Sequence, residues 1–264
     1  MKANEVTVVD QGSMNMGERL DMKLIAAQIR SVPGEIEENI CKHIDVIHLA
    51  ASKGGDVVFF PELSLSGYEP GLAEALSVQP SDGRLDRFQV LSDRYGMLIA
   101  VGAPTQGKKG TEISMICFQP GVARKTYSKQ QLHSDEFPFF TSGTEPLALT
   151  QANHVLVPAI CYESMQANHA EQAADLGAQV YLASVAKHER GVMAGFGHYP
   201  LIAKKHAMAV MMANCVGAAD NFIGAGQSAI WNADGELVCS ADALQEALVM
   251  YDMQTRQAQV FGLP

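Results

Sequence analysis

No stretch of this 264-residue chain approaches the roughly 20 consecutive apolar residues that a membrane-spanning helix needs, so no membrane association is expected. The opening MKANEVTVVDQGSMNMGERLD also lacks the apolar core of a secretory leader, which makes the cytoplasm the expected location. Positive charge is scarce. Nineteen Lys and Arg against 29 Asp and Glu leave a formal net charge of −10, which favours solubility and disfavours a nucleic-acid partner. Paired cysteines are missing too. Cys41, Cys117, Cys161, Cys215 and Cys239 are odd in number, far apart and without a C-x-x-C, so neither a disulfide framework nor a zinc ribbon fits. Four of them, all but Cys161, lie in helix or strand patterns and read as small buried hydrophobes. The eight histidines include no H-E-x-x-H, and neither metal nor cofactor is expected. Short repeats, low-complexity tracts and linkers are absent as well. Residues 1–21 read as a polar extension, and 22–264 as a single domain with length enough for one large core.

What is present is an alternation of strands and helices. KLIAAQI (23–29) reads as a strand, and the segment after it carries Ile36, Ile40, Ile44, Ile47 and Ala51 at helical spacing until Gly54 and Gly55 stop it. DVVFF (56–60) is a continuous apolar run, the mark of a strand covered on both faces. A helix is expected over 85–96, and then a hairpin of 97–105 with 112–121. The second half begins in the same way, with a strand at 154–160, a helix near 165–176, a strand at 178–185, a helix near 199–209 and a strand at 210–217. A hairpin at 226–240 with an Asp-Gly turn and a last strand at 247–253 complete the pattern. HERGVMAGFGHYP (188–200) reads as a loop. It lies either free on the surface or over a pocket, with His188, Arg190 and His198 offered to a polar substrate. The pattern predicts an α/β layered fold with mixed sheets, whose ligands gather beyond the carboxyl ends of strands.

Three short strings place a reactive side chain at the end of an apolar run: VVFFPELSLSGY (57–68) with Glu62, RKTYSKQQL (124–132) with Lys129, and VPAICYES (157–164) with Cys161. Cys161 falls near a helix start, where partial positive charge and free N–H groups favour a thiolate. The N–H of Tyr162 could face a developing oxyanion there. The plain alternative is one more buried core thiol. Glu62 follows Pro61 at the mouth of a buried strand; burial raises its proton affinity and a nearby ammonium lowers it. Read plainly, it is a capping or surface glutamate. Lys129 lies in a polar stretch where exposed lysines are ordinary, and Glu136 is either solvated or shares a buried network with it. A thiol, a carboxylate and an ammonium brought together would suit acyl transfer from an amide-like carbon.

Together these strings resemble the nitrilase superfamily of carbon–nitrogen hydrolases, in its amidase-like branch. FPELSLSGYEP is similar to that family's glutamate motif, YSKQQL to its lysine motif and PAICYES to its cysteine motif. AGQSAIWNADGELV resembles its late hairpin. The resemblance implies a four-layer αββα sandwich with two mixed β-sheets, usually paired into a homodimer or a higher homo-oligomer. It also implies a catalytic Glu62, Lys129 and Cys161 set, with Glu136 and Tyr162 in support and Tyr68, Phe137, Ser184 and Lys187 among the substrate-binding walls. After the cysteine the chain departs from the common C-Y-D-x-R-F-P-E form, reading CYESMQANHAEQ, in a segment that lines the pocket in relatives.

The activity this implies is thiol-dependent hydrolysis of a small aliphatic amide, or of an ω-amide, to a carboxylic acid and ammonia through a cysteine thioester. An N-carbamoyl amine hydrolase or a nitrilase is the alternative within the family, though C-Y-E stands where nitrilases carry C-W-E. A catalytically silent binding or scaffold protein is the alternative outside it. The chain stops soon after the last expected strand, so no fused synthetase domain is expected to use the ammonia. Lys187 is open to two uses, pairing with a substrate carboxylate or with a surface acid.

Overall fold

The computed structural model describes residues 21–263. The expected extension 1–21 lies, apart from Asp21, outside the described residues. The first half runs β1 (Lys23–Gln28), α1 (Ile36–Ser52), β2 (Val57–Phe59), the short helix α2 (Ala73–Leu76), α3 (Asp86–Tyr95), β3 (Leu98–Gln106), β4 (Thr111–Gln119) and β5 (Val122–Ser128). The second runs β6 (Leu149–Gln151), β7 (His154–Ile160), α4 (Ala167–Asp175), β8 (Val180–Val185), α5 (Glu189–His206) and β9 (Ala209–Asn214). It continues with β10 (Val216–Ala219), β11 (Phe222–Ala225), β12 (Ala229–Trp231), β13 (Leu237–Ser240), β14 (Ala247–Asp252) and β15 (Gln257–Gly262).

These strands form two large mixed sheets and a separate β10-β11 hairpin. The seven-stranded sheet has the order β15-β14-β1-β2-β3-β4-β5, and the six-stranded sheet β13-β12-β9-β8-β7-β6. In each, three consecutive strands are parallel, β1-β2-β3 and β9-β8-β7, and antiparallel strands flank them.

Side-chain alternation explains the layering. Leu24 and Ala26 of β1, Val57 and Phe59 of β2, Leu156 and Ile160 of β7, and Val180 and Leu182 of β8 meet in one core between the sheets. Their neighbours point the opposite way. Ile25, Ala27 and Val58 meet Ile40 and Ile47 of α1 and Phe88 and Leu91 of α3. Val157, Ala159, Tyr181 and Ala183 meet Ala170 of α4 and Tyr199 and Ile202 of α5. A strand apolar on both sides must be covered on both, and the result is the four-layer αββα sandwich.

Several local expectations need correction. Residues 189–199 are not a loop but the first part of α5. Val192, Gly195, Tyr199 and Ile202 give it a buried stripe at helical spacing, which the low helix propensity of its three glycines obscures. Lys129 does not follow a loose polar stretch, because β5 precedes it. Another strand, β15, follows the one expected to be last. Cys41 lies on the exposed side of α1, opposite the stripe formed by Ile40, His43 and Ile47, and is no core residue. Among the described residues no helix is long and apolar enough to cross a membrane.

Candidate active site

The carboxyl ends of β2, β7 and β8 come together where the two sheets meet. Glu62 sits in the turn after β2, where the Ser64 N–H donates to the Pro61 carbonyl at 3.2 Å. That turn lies directly over Gly102 of β3. A Cβ added at Gly102 would fall 2.4 Å from the Pro61 oxygen and 2.6 Å from the Leu63 nitrogen, so only glycine lets the turn sit this low. Lys129 is the residue after β5. Its N–H donates to the Ile113 carbonyl at 2.8 Å and its own carbonyl accepts from Gly143 at 2.9 Å, which fixes the backbone on both sides.

The Lys129 ammonium donates to Glu62 Oε1 at 2.8 Å and to Glu136 Oε1 at 2.6 Å, and all three side chains are buried. Burying one charge costs several kcal/mol, so this lysine is tolerable only because two carboxylates meet it. Glu136 is itself oriented by the Tyr68 hydroxyl at 3.1 Å and the His133 N–H at 2.7 Å. Burial is the largest influence on Glu62 and pushes its carboxyl up to about 7; Lys129 opposes the rise and Glu136 adds to it. On Lys129 burial acts against the charge, but Glu62, Cys161 and Glu136 overcome it and hold the ammonium protonated. Glu62 Oε2 is buried with no hydrogen-bond partner among the described residues, and the nearby Cys161 thiol works against the rise in its proton affinity.

Cys161 follows β7 directly and opens a 3₁₀ turn, Cys161–Met165, rather than a long helix. Its φ of 45° is left-handed, a strained conformation for a residue other than glycine, costing about 1–3 kcal/mol. The kink turns the side chain out of the strand. The thiol contacts the Ala186 carbonyl at 3.9 Å. The expectation of a favoured thiolate is not met in the resting site: burial, then Glu62, pushes the thiol up to about 11. Cys161 therefore rests protonated beside a carboxylate that can take its proton.

Glu163 holds the two loops together. Its Oε1 accepts from the Tyr127 hydroxyl at 2.7 Å and the Ile160 N–H at 2.8 Å. Its Oε2 accepts from the N–H groups of Gln130 at 2.7 Å and Gln131 at 3.2 Å. One carboxylate thus ties the residues after Lys129 to the residue before Cys161. In the sequence Glu163 is only the last letter of C-Y-E, and nothing in the spacing marks it as a clamp.

A cavity of about 590 Å³ opens onto the thiol, with Tyr68, Glu136, Tyr162, Lys187, Phe139 and Phe222 among its walls. Of the expected wall residues, Tyr68 and Lys187 line it, and so does Tyr162, which was expected in a supporting role. Phe137 does not; it is 65% exposed and lines a different depression beside Glu74 and Gln106, while Phe139, two residues on, takes the place in the wall. Ser184 does not either. It lies on the inter-sheet side of β8, and its hydroxyl donates to the Phe60 carbonyl at 2.8 Å, joining the two strand ends. Of His188, Arg190 and His198, only His188 is part of the cavity wall. Phe139, Phe222 and Met165 carried no signal in the sequence, since each is apolar in a segment without a pattern.

The model of one family, carbon–nitrogen hydrolase, matches residues 23–261. The chain belongs to the carbon–nitrogen hydrolase family. Its class of chemistry is accordingly the hydrolysis of carbon–nitrogen bonds. Among curated proteins, this carbon–nitrogen hydrolase is similar to the glutamine-dependent NAD(+) synthetase of Acinetobacter baylyi, 26% identical over 248 residues, which are 89% of this chain and 44% of that protein. The Aquifex aeolicus synthetase is 26% identical over 250 residues, 90% of this chain and 43% of that one. The chain thus spans less than half the length of these relatives. Among solved structures, it is similar to an amidase from Nesterenkonia sp. AN1 in complex with acrylamide, with a TM-score of 0.80, 20% identity and coverage of 92% and 93% of the two chains. The same amidase with the acetamide moiety of fluoroacetamide added covalently at its active-site cysteine gives a TM-score of 0.79 at 22% identity, covering 88% and 90%. At these identities the structural likeness speaks for the fold, the αββα sandwich.

Proposed function

We propose that this carbon–nitrogen hydrolase is an amidase that converts a small aliphatic amide, or an ω-amide, to a carboxylic acid and ammonia through a thioester on Cys161. The observation that carries this reading is the buried Glu62–Lys129–Glu136 cluster beside Cys161, residues distant in sequence, with Cys161 and Glu136 facing one cavity. In the first step Glu62 accepts the thiol proton, sulfur bonds to the amide carbon, and the carbonyl π electrons move onto oxygen. Lys129 and the Tyr162 N–H hold that oxygen; one such donor typically lowers the barrier by about 2.7–4 kcal/mol. As the tetrahedral centre collapses, Glu62 returns its proton to nitrogen, the carbon–nitrogen bond breaks and ammonia leaves. Glu62 then takes a proton from water, whose oxygen attacks the thioester, and the acid departs as the thiol is restored. Glu136 orients Lys129 throughout.

The neighbouring amidase, with amides bound and with a modified active-site cysteine, supports this choice of substrate class. The curated relatives are glutamine-dependent, and glutamine ends in a primary amide, which makes it the first ω-amide to test. The experiment is an ammonia-release screen over primary amides, nitriles and N-carbamoyl compounds, with Cys161→Ala as the blank. Release from primary amides that vanishes in the variant is expected. Undiminished amide hydrolysis by Cys161→Ala would refute the proposal, and release from nitriles or carbamoyl compounds alone would refute the choice of amide.

A further inference from the structure

The positive charge of Lys129 is already matched. Its ammonium stands between Glu62 at 2.8 Å and Glu136 at 2.6 Å. Once Glu62 has taken the thiol proton, Lys129 and Glu136 form a neutral pair. The anion born on sulfur, and next on the tetrahedral oxygen, then faces no net positive charge from these groups. A buried anion without a countercharge is costly.

A second ammonium lies on the same cavity. Lys187 is 8% exposed, follows β8 and lines the wall with Cys161. Asn214 pins its backbone in both directions: the Lys187 N–H donates to Oδ1 at 2.8 Å, and the Lys187 carbonyl accepts from Nδ2 at 3.1 Å. Its stem lies along Gly191, where an added Cβ would come within 3.3 Å of Lys187 Cβ and 3.4 Å of Cγ. Among the described residues no carboxylate forms an ion pair with this ammonium. A held, largely buried cation with no ion-pair partner thus lines the same cavity as Cys161 before any anion forms on the thiol.

We propose that Lys187 supplies the net positive charge for the anion that forms at Cys161, first on sulfur and then on the substrate oxygen, while Lys129, neutralised by Glu136, contributes a hydrogen bond to that oxygen. The inference rests on Cys161 being the nucleophile. The groups acting on the Lys187 charge are Cys161, Tyr199, Glu62 and Lys129, and it acts in turn on His198 of α5; Glu136, Asp135, Asp220, His133 and His188 line the same cavity, and Cys215 after β9 meets only the Lys187 backbone. Burial acts against its charge, yet Cys161, Tyr199 and Glu62 outweigh burial and keep it protonated. On the thiol, burial and Glu62 dominate and raise proton affinity; Lys187 opposes them more strongly than Lys129 does. This arrangement is preorganised electrostatic stabilisation, with the stabilising charge in place before the reaction.

The test compares Lys187→Gln, Lys187→Met and Lys187→Arg with the wild type. The rate of iodoacetamide alkylation is followed against pH on the Cys161 peptide by mass spectrometry, alongside kcat and KM on an uncharged primary amide. In Lys187→Gln the alkylation profile should move up by about one pH unit, and kcat should fall about tenfold or more with KM little changed. Lys187→Arg should restore most of both. Lys187→Met, which keeps the stem along Gly191, gives the same reading should the Gln variant not fold. An unchanged alkylation profile in either folded neutral variant overturns the inference. So does a KM increase confined to amides bearing a carboxylate, which would assign Lys187 to the substrate. Activity persisting in Cys161→Ala would remove the amidase reading itself, whereas a dead Cys161→Ala beside an unaltered Lys187→Gln removes only this inference.

Discussion

Glu163→Gln changes one atom type at the clamp between the Lys129 and Cys161 loops, and the structure fixes which way the amide turns. If its nitrogen took the place of Oε2, it would face two backbone donors, Gln130 and Gln131. In place of Oε1 it faces the Ile160 N–H and the Tyr127 hydroxyl. Tyr127 can turn its proton to His169 Nε2, 2.8 Å away, and accept from the new amide. The second orientation is therefore preferred, and it strands only the Ile160 N–H. One stranded buried donor costs about 1–3 kcal/mol, and the bonds from Gln130 and Gln131 each weaken by about 1 kcal/mol when the acceptor loses its charge. The sum is about 3–5 kcal/mol. For a domain of this size that lowers Tm by roughly 6–20 °C in a calorimetric scan. Because the stranded and weakened groups adjoin Cys161 and Lys129, kcat should fall as well, by up to ~100-fold for a displacement of about 1 Å. A variant melting within about 2 °C of wild type with full activity would refute the clamp.

Lys129→Met leaves Glu62 and Glu136 buried side by side without a cation and should cost about 3–5 kcal/mol in denaturant unfolding, far more than Cys161→Ala; equal stability of the two variants would contradict the burial argument. The kcat/KM for an amide should climb with pH up to about 7, because below that value Glu62 keeps its proton and cannot accept another; a flat profile there would exclude Glu62 as the base. With its folded pKa raised above the ordinary 4.5, Glu62 contributes stability that is present at low pH and lost as pH rises to about 7, a loss that Glu62→Gln should abolish in melts across that range. Gly102→Ala places a methyl against backbone atoms on both sides of Glu62 and should cost about 1–3 kcal/mol with a loss of kcat; unchanged kcat would free the Glu62 turn from Gly102.

Much of the fold could be read from local pattern because the central strands are apolar on both faces and end at distinctive residues. The runs at 56–60 and 178–185 lie where strands were expected. The strings around Glu62 and Cys161 brought these residues into view for the same reason, each closing such a run, whereas Lys129 follows the mostly exposed β5 and was marked only by its motif. What could not be read depends on long-range packing. The start of α5 contains three glycines and looks like a loop until its buried stripe against β8 and β9 is seen. Phe137 and Phe139 lie two residues apart in one turn, and no periodicity decides which of them faces the cavity. The oxygens of Glu163 meet donors from segments more than 30 residues away, a relation with no local trace.

Whether the sulfur of Cys161 is the reactive thiol of an amide-binding site can be read on the protein directly. Fluoroacetamide tests it most directly, since sulfur must displace fluoride to leave a carbamoylmethyl group on the attacking cysteine. Peptide mapping after brief exposure should find that group on Cys161 well ahead of the exposed Cys41, with ammonia release from a primary amide falling in step. Labelling of Cys41 as fast as Cys161, or amide hydrolysis undiminished after Cys161 is fully modified, would contradict the account.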